Sequence, residues 1–222
     1  DDPQRGFDAA QKIVEYLRPI LEDRRRNPGS DLISTLIHAE IDGEKLGEEE
    51  VVSFLRLLLP AGAETTYRLT GSVLYALLTH ADVLAEVRSD PAALDRAIEE
   101  TLRWEAAVQY VSRETTREVE VAGTKIGANE LVMLAVGSAN RDETRFEDPD
   151  RFVLGRKNVG DHLAFGFGEH FCLGSNLARL EARTAVRILL DRLPNLRLAP
   201  DADCRVVGLA FRSPDRLPVV FG

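Results

Sequence analysis

A mainly α-helical fold with small antiparallel β-sheets is what this sequence predicts, and three observations predict it. Apolar residues recur at helical spacing over long stretches, above all from about Gly47 to His80. Between residues 117 and 136 the spacing changes to alternation: Val119, Val121, Ile126, Leu131 and Met133 are separated by Ala122-Gly123 and Gly127-Ala128-Asn129 turns. Helical spacing returns at Ser175, directly after a glycine-rich loop that contains one cysteine. With 222 residues, 44% of them hydrophobic, the chain can bury a full core.

Residues 7 to 26 form the first amphipathic pattern, with Phe7, Ile13, Leu17, Ile20 and Leu21 on one face and the Arg24-Arg25-Arg26 run at its C-terminal end. Asn27-Pro28-Gly29 breaks it. Ser30 or Asp31 can then cap a short helix carrying Leu32, Leu36 and Ile37, and Asp42-Gly43 is a turn. The triple Glu48-Glu49-Glu50 opens the long helix, which at 1.5 Å per residue would run some ~50 Å and cross the whole molecule. Pro60 and Gly62 in its middle predict a kink or groove. A helix around Leu84 to Val87 ends near Ser89-Asp90-Pro91, and a charged helix follows with Glu99, Glu100, Arg103 and Trp104. After the alternating segment comes a loop of turn formers over residues 140–149. The last helix, from Ser175 to about residue 192, carries a stripe of Leu177, Leu180, Ala185, Ile188 and Leu189, and Leu196-Arg197-Leu198 and Leu217-Pro218-Val219-Val220-Phe221 read as edge strands.

The most specific stretch is Phe165-Gly166-Phe167-Gly168-Glu169-His170-Phe171-Cys172-Leu173-Gly174. It places Cys172 just before a helix N-terminus, where free N–H groups and the positive end of the helix dipole favour a thiolate. The glycines let the backbone approach a flat ligand closely, and Phe165, Phe167 and Phe171 can wall the sulfur from water. An apolar wall alone raises a thiol's pKa, so a stable thiolate here needs a metal or a cation. Iron in a haem meets that need.

This decapeptide resembles the cysteine-ligand loop of the cytochromes P450, and further segments in the same order extend the resemblance. Ala61-Gly62-Ala63-Glu64-Thr65-Thr66 is similar to the oxygen-binding segment of the family's distal helix, where Glu64 and Thr65 would relay protons to dioxygen and promote O–O cleavage. Glu100 and Arg103 resemble the family's Glu-x-x-Arg, with Arg151 in Asp150-Arg151-Phe152 the candidate third member of a structural network behind the haem. By the same resemblance Cys172 is the iron ligand. Arg113 and His170 pair with haem propionates, and Ala61, Gly62, Phe165, Gly166, Gly168 and Gly174 lie against the cofactor. Val108 and Val111, in the apolar segment before Arg113, and Phe211 in a later loop contact substrate. The resemblance covers the whole chain but in register with the C-terminal half of the family. The expectation is therefore a P450 fold lacking its N-terminal part, with residues 1–222 the haem-binding portion of a single domain.

The implied function is that of a monooxygenase with haem b (iron protoporphyrin IX), which inserts one oxygen atom of O2 into an apolar small molecule. Electrons would come from a ferredoxin-type redox partner with its reductase, docking on Arg156, Lys157, Arg179 and Arg183. No apolar run of about 18 residues and no signal-peptide layout occurs in the sequence, so a cytoplasmic location without a membrane anchor is expected. A formal net charge of -9 argues against nucleic acid as a partner. Cys172 and Cys204 give no disulfide framework. Two other readings of the same residues stay open: a haem-binding sensor or electron-transfer module, and an inactive piece that binds no haem.

Overall fold

The computed structural model describes residues 2–222; Asp1 lies outside the described residues. Internal contacts divide the chain into two compact units, one ending at Ala63 and the other spanning Glu64–Gly222.

In the first unit, α1 (Pro3–Arg26) begins ahead of Phe7 because Asp2 accepts a hydrogen bond from the Gln4 N–H and a proline occupies the first turn, where its missing N–H has no partner to lose. Arg24, Arg25 and Arg26 form its last turn. Asp31, not Ser30, caps α2 (Leu32–His38) by accepting from the Ser34 N–H at 2.9 Å. Strands β1 (Glu40–Ile41) and β2 (Glu44–Lys45) pair through Asp42-Gly43, whose φ values of 53° and 82° are the left-handed pair that a tight hairpin turn needs. α3 (Glu48–Thr79) starts on its three glutamates and continues helically through Pro60 and Gly62. Leu17 and Leu21 of α1 pack with Val51, Val52 and Leu55 of α3 as this unit's core.

The second unit holds α4 (Ala81–Ser89), α5 (Ala93–Trp104), β3 (Val111–Glu114), β4 (Val119–Val121), β5 (Thr124–Ile126), β6 (Leu131–Leu134) and α6 (Val136–Ala139). After a long loop come α7 (Ser175–Arg192), β7 (Arg197–Leu198), β8 (Val206–Val207), β9 (Ser213–Pro214) and β10 (Val219–Val220). The strands form antiparallel pairs, β3 with β6, β4 with β5, β7 with β10 and β8 with β9. α5 is central. Its buried Leu94, Ala97, Ile98 and Leu102 pack with Leu69, Val73, Ala76 and Leu77 of α3 and with Ala182, Val186 and Leu190 of α7. Burial of each large side chain contributes about 1.5–3 kcal/mol.

The face that α7 buries is not the leucine stripe its sequence suggests. Leu177, Leu180 and Ile188 are 57%, 49% and 47% exposed, whereas Ala182, Val186 and Leu190 are buried. Ala182 and Ala97 are both fully buried in the shared core of the two helices. Small side chains there let the helices approach closely, and leucine at those positions would hold them apart.

Candidate functional site

The cysteine loop is anchored at its start by one buried side chain. Asn140, at the end of α6, accepts from the Leu163 N–H through Oδ1 at 2.7 Å and donates through Nδ2 to the Leu102 carbonyl of α5 at 3.4 Å. From there the chain turns at Gly166, whose φ of +75° lies in the left-handed region and whose position a Cβ would share with the His170 carbonyl at only 3.3 Å. The loop closes when the Cys172 N–H donates to the Phe165 carbonyl at 2.8 Å. Gly174 is the N-cap of α7 and the Ser175 N–H donates to the Cys172 carbonyl at 3.3 Å, so Cys172 sits just ahead of the helix N-terminus.

Cys172 is a free, half-buried thiol. Phe165 and Phe171 meet edge to face with ring centroids 6.4 Å apart. Phe167, expected in that wall, is instead 85% exposed. Phe171, Leu173 and Leu177 are also exposed, which leaves apolar surface on the loop and on the first turn of α7. His170 lies in a short 3-10 turn of the loop and is exposed; Gly168 has a left-handed φ of +70°, and a Cβ on Gly168 or Gly174 would meet open space.

Behind the loop, Glu100 and Arg103 pair as their spacing predicts, within hydrogen-bond distance at both carboxylate oxygens (2.9 and 2.8 Å), and both side chains are fully buried. The arginine that completes this network is Arg156. Its Nε lies 3.2 and 3.3 Å from the two Glu100 oxygens, with only 6% of the side chain exposed. Arg151 takes part through its backbone: its carbonyl accepts from Arg103 at 2.9 Å, while its guanidinium points outward to Asp148. Arg103 also donates to the Asn140 and Pro149 carbonyls, at 3.0 and 2.8 Å. The chain thus turns so that residue 151 offers its backbone to the network and residue 156 offers its side chain. Arg156 is therefore not part of an exposed docking patch; Arg179 and Arg183 are paired with Glu99 and Asp95, and Lys157 is exposed.

On α3, Ala61 and Gly62 are exposed and Thr65 is half-buried. Glu64 is held by the next turn of its own helix: Arg68 donates to its Oε1 from Nε at 2.8 Å and from Nη2 at 2.6 Å, and reaches the Ser213 hydroxyl from Nη1 at 3.0 Å.

The expected substrate-contact segments lie side by side. Val108 bridges to Phe211, the Gln109 N–H donates to the Ala210 carbonyl and the Arg212 N–H to the Ala107 carbonyl, each at 2.9 Å. Arg212 pairs at 2.7 Å with Glu105, whose burial raises its pKa against the attraction of Arg212 and Arg141. The turn at Gly208 is closed to any other residue, with φ +111° and an added Cβ only 1.9 Å from the Phe211 carbonyl. Val111 is half-buried on β3, opposite Leu134, and Arg113 is exposed on the same strand, its Nη1 donating to the Ser112 carbonyl. Sequence reasoning missed Asn140, Arg156 and the Glu99–Arg179 pair; their partners are distant in the chain or are backbone atoms.

The donors present suit a haem. A soft thiol stands ahead of a helix N-terminus beside exposed apolar side chains, and the Arg113 and His170 side chains are exposed.

A sequence profile of the cytochrome P450 family matches residues 3–201. The chain is 45% identical over 220 residues to cytochrome P450 107B1 and 44% identical over 224 residues to 6-deoxyerythronolide B hydroxylase, both from Saccharopolyspora erythraea. These alignments cover 98% of this chain and 54% and 55% of those proteins. The structure superposes on CYP109E1 from Bacillus megaterium, solved in complex with testosterone, with a TM-score of 0.91 at 36% identity, over 98% of this chain and 60% of that one. The chain belongs to the cytochrome P450 family. It spans about half the length of the curated relatives it matches. Among the described residues no helix is long and apolar enough to cross a membrane.

Proposed function

We propose that this chain carries the haem-binding and oxygen-activating machinery of a P450 monooxygenase that inserts one oxygen atom of O2 into an apolar small molecule. The observation that carries the reading is Cys172, a half-buried free thiol on a glycine loop at the start of α7, in a family of monooxygenases. Haem b would supply the activation of O2, with electrons from a ferredoxin-type partner and its reductase. Cys172 holds it as thiolate, favoured by the helix N-terminus. The exposed side chains of Arg113 and His170 would pair with its carboxylates, and Phe165, Gly166, Gly168 and Gly174 would give it flat backbone and ring surfaces.

Glu64 and Thr65 handle protons. The Thr65 side chain and the Glu64 carboxylate, whose Oε1 accepts from Arg68, would relay protons to dioxygen. Arg68 keeps the carboxylate aligned on the helix. Val108, Val111 and Phe211 orient the substrate. A relative named 6-deoxyerythronolide B hydroxylase and a neighbour solved with testosterone support an apolar small molecule as its class. The protein acts in the cytoplasm, without nucleic acid.

Haem titrated into the purified chain is expected to bind stoichiometrically and, reduced under carbon monoxide, to give the red-shifted Soret band of thiolate ligation. Cys172→Ala abolishes that band; normal thiolate-type spectra in this variant would refute the assignment. Thr65→Ala is expected to uncouple reductant consumption from product, an effect that a sensor or electron-transfer module would not show.

A further inference from the structure

Beside the cysteine loop lies a half-buried charge pair with no part in the reading above. Arg179, one turn into α7, donates to both oxygens of Glu99 on α5, from Nε at 2.5 Å and from Nη2 at 2.9 Å, with side chains 30% and 25% exposed. The guanidinium also lies over the Phe165 ring, 4.5 Å from its centroid. Phe165 is the residue whose carbonyl receives the Cys172 N–H. Glu99 Oε2 is shared with Nε2 of buried His162 at 3.3 Å; the Ala164 N–H donates to Nδ1 of the same ring, so Nε2 carries the proton and donates. The Glu99 hydrogen bond, with the Coulomb attraction of Glu99 and of Cys172, raises the Arg179 pKa against the lowering by burial.

We propose that Arg179 and Glu99 are positioning residues that set the electron-donating strength of Cys172 through opposed charges, the cation stacked on the loop and the anion behind it. This rests on the haem-thiolate reading. A cation close to the sulfur stabilises its negative charge and weakens its donation to iron, which favours the ferrous state. Glu99 offsets part of that field and keeps Arg179 over Phe165.

The test is the Fe(III)/Fe(II) potential of the haem-loaded full chain. Arg179→Gln is expected to shift the equilibrium towards ferric, and Glu99→Gln towards ferrous, each by roughly tenfold, which for one electron is about 59 mV. Glu99→Gln/Arg179→Gln returns close to wild type, and Arg179→Lys, which keeps the charge, stays near it. A purely structural pair would move both single variants in the same direction, because each loosens the same loop. Same-sign shifts, or none, overturn the inference while the Cys172-dependent Soret band leaves the haem-thiolate reading standing. A wild-type chain that takes up no haem overturns both. If Arg179→Gln does not fold, Glu99→Gln and Arg179→Lys decide: a ferrous shift in the first with none in the second supports the inference, and any other pattern refutes it.

Discussion

Glu100→Gln should be among the most destabilising single-atom changes in this chain. The Glu100 carboxylate is the anion facing two buried guanidiniums, with Oε1 accepting from Arg103, Arg156 and the Val153 N–H, and Oε2 meeting Arg103 and Arg156 again. An amide cannot substitute. Whichever way it is turned, its NH2 faces a donor that had an acceptor, and the charge that balanced Arg103 and Arg156 is gone. Removing one partner of a buried pair costs about 3–5 kcal/mol, which for a chain of this size corresponds to a fall in Tm of about 6–20 °C. The control is Arg151→Gln. Its guanidinium is 74% exposed and its contribution to the network is a carbonyl that the substitution retains, so the cost is about 0–1 kcal/mol. Urea unfolding of both variants, followed by far-UV circular dichroism, measures the difference. A loss under about 1 kcal/mol for Glu100→Gln, or a loss for Arg151→Gln equal to it, would refute the assignment of Arg156 as the third member.

Asn140→Ala leaves the Leu163 N–H without its acceptor and should cost about 1–3 kcal/mol; loosened loop protection, seen as faster amide exchange at residues 163–166, checks it. Gly208→Ala forces a Cβ against the Phe211 carbonyl at a left-handed φ, so it should cost at least ~1–2 kcal/mol and detach Phe211 from Val108, read as lost cross-strand contacts by NMR. Acid should weaken the protein through Glu99: burial opposes its ionisation, but Arg179 and His162 outweigh that and hold its pKa at about 2 against an ordinary 4.5. A depressed carboxylate stabilises the fold fully above the unfolded value, and this contribution is lost as pH falls from about 4.5 towards about 2. The stability gap between wild type and Glu99→Gln should narrow across that window, and a constant gap would count against the ion pair.

What was legible in the sequence was local chemistry. Asp42-Gly43, a cap at Ser30 or Asp31, the glutamate start of α3 and the glycine pattern around Cys172 each impose a backbone geometry that neighbouring residues alone determine. Glu100 and Arg103 belong to the same class, since three-residue spacing on a helix puts them on one face. The buried face of α7 was not legible, because counting leucines ignores the need for small residues where two helices approach.

The third arginine shows why the remaining part was hidden. Arg151 and Arg156 occupy the same loop, and nothing in their sequence neighbourhood distinguishes a carbonyl partner from a side-chain partner. The choice is made by Arg103, whose Nη1 and Nη2 donate to the carbonyls of Asn140, Pro149 and Arg151. Backbone acceptors carry no sequence signature, so the path of the loop is fixed by atoms every residue possesses. Once those carbonyls converge on Arg103, the chain at Val153 turns in to donate its N–H to Glu100, and Arg156 reaches the same carboxylate. The same logic holds for Asn140, which through one amide ties the start of the cysteine loop to α5. A substitution at Asn140 would therefore loosen the start of the cysteine loop, although the residue lies outside the glycine motif.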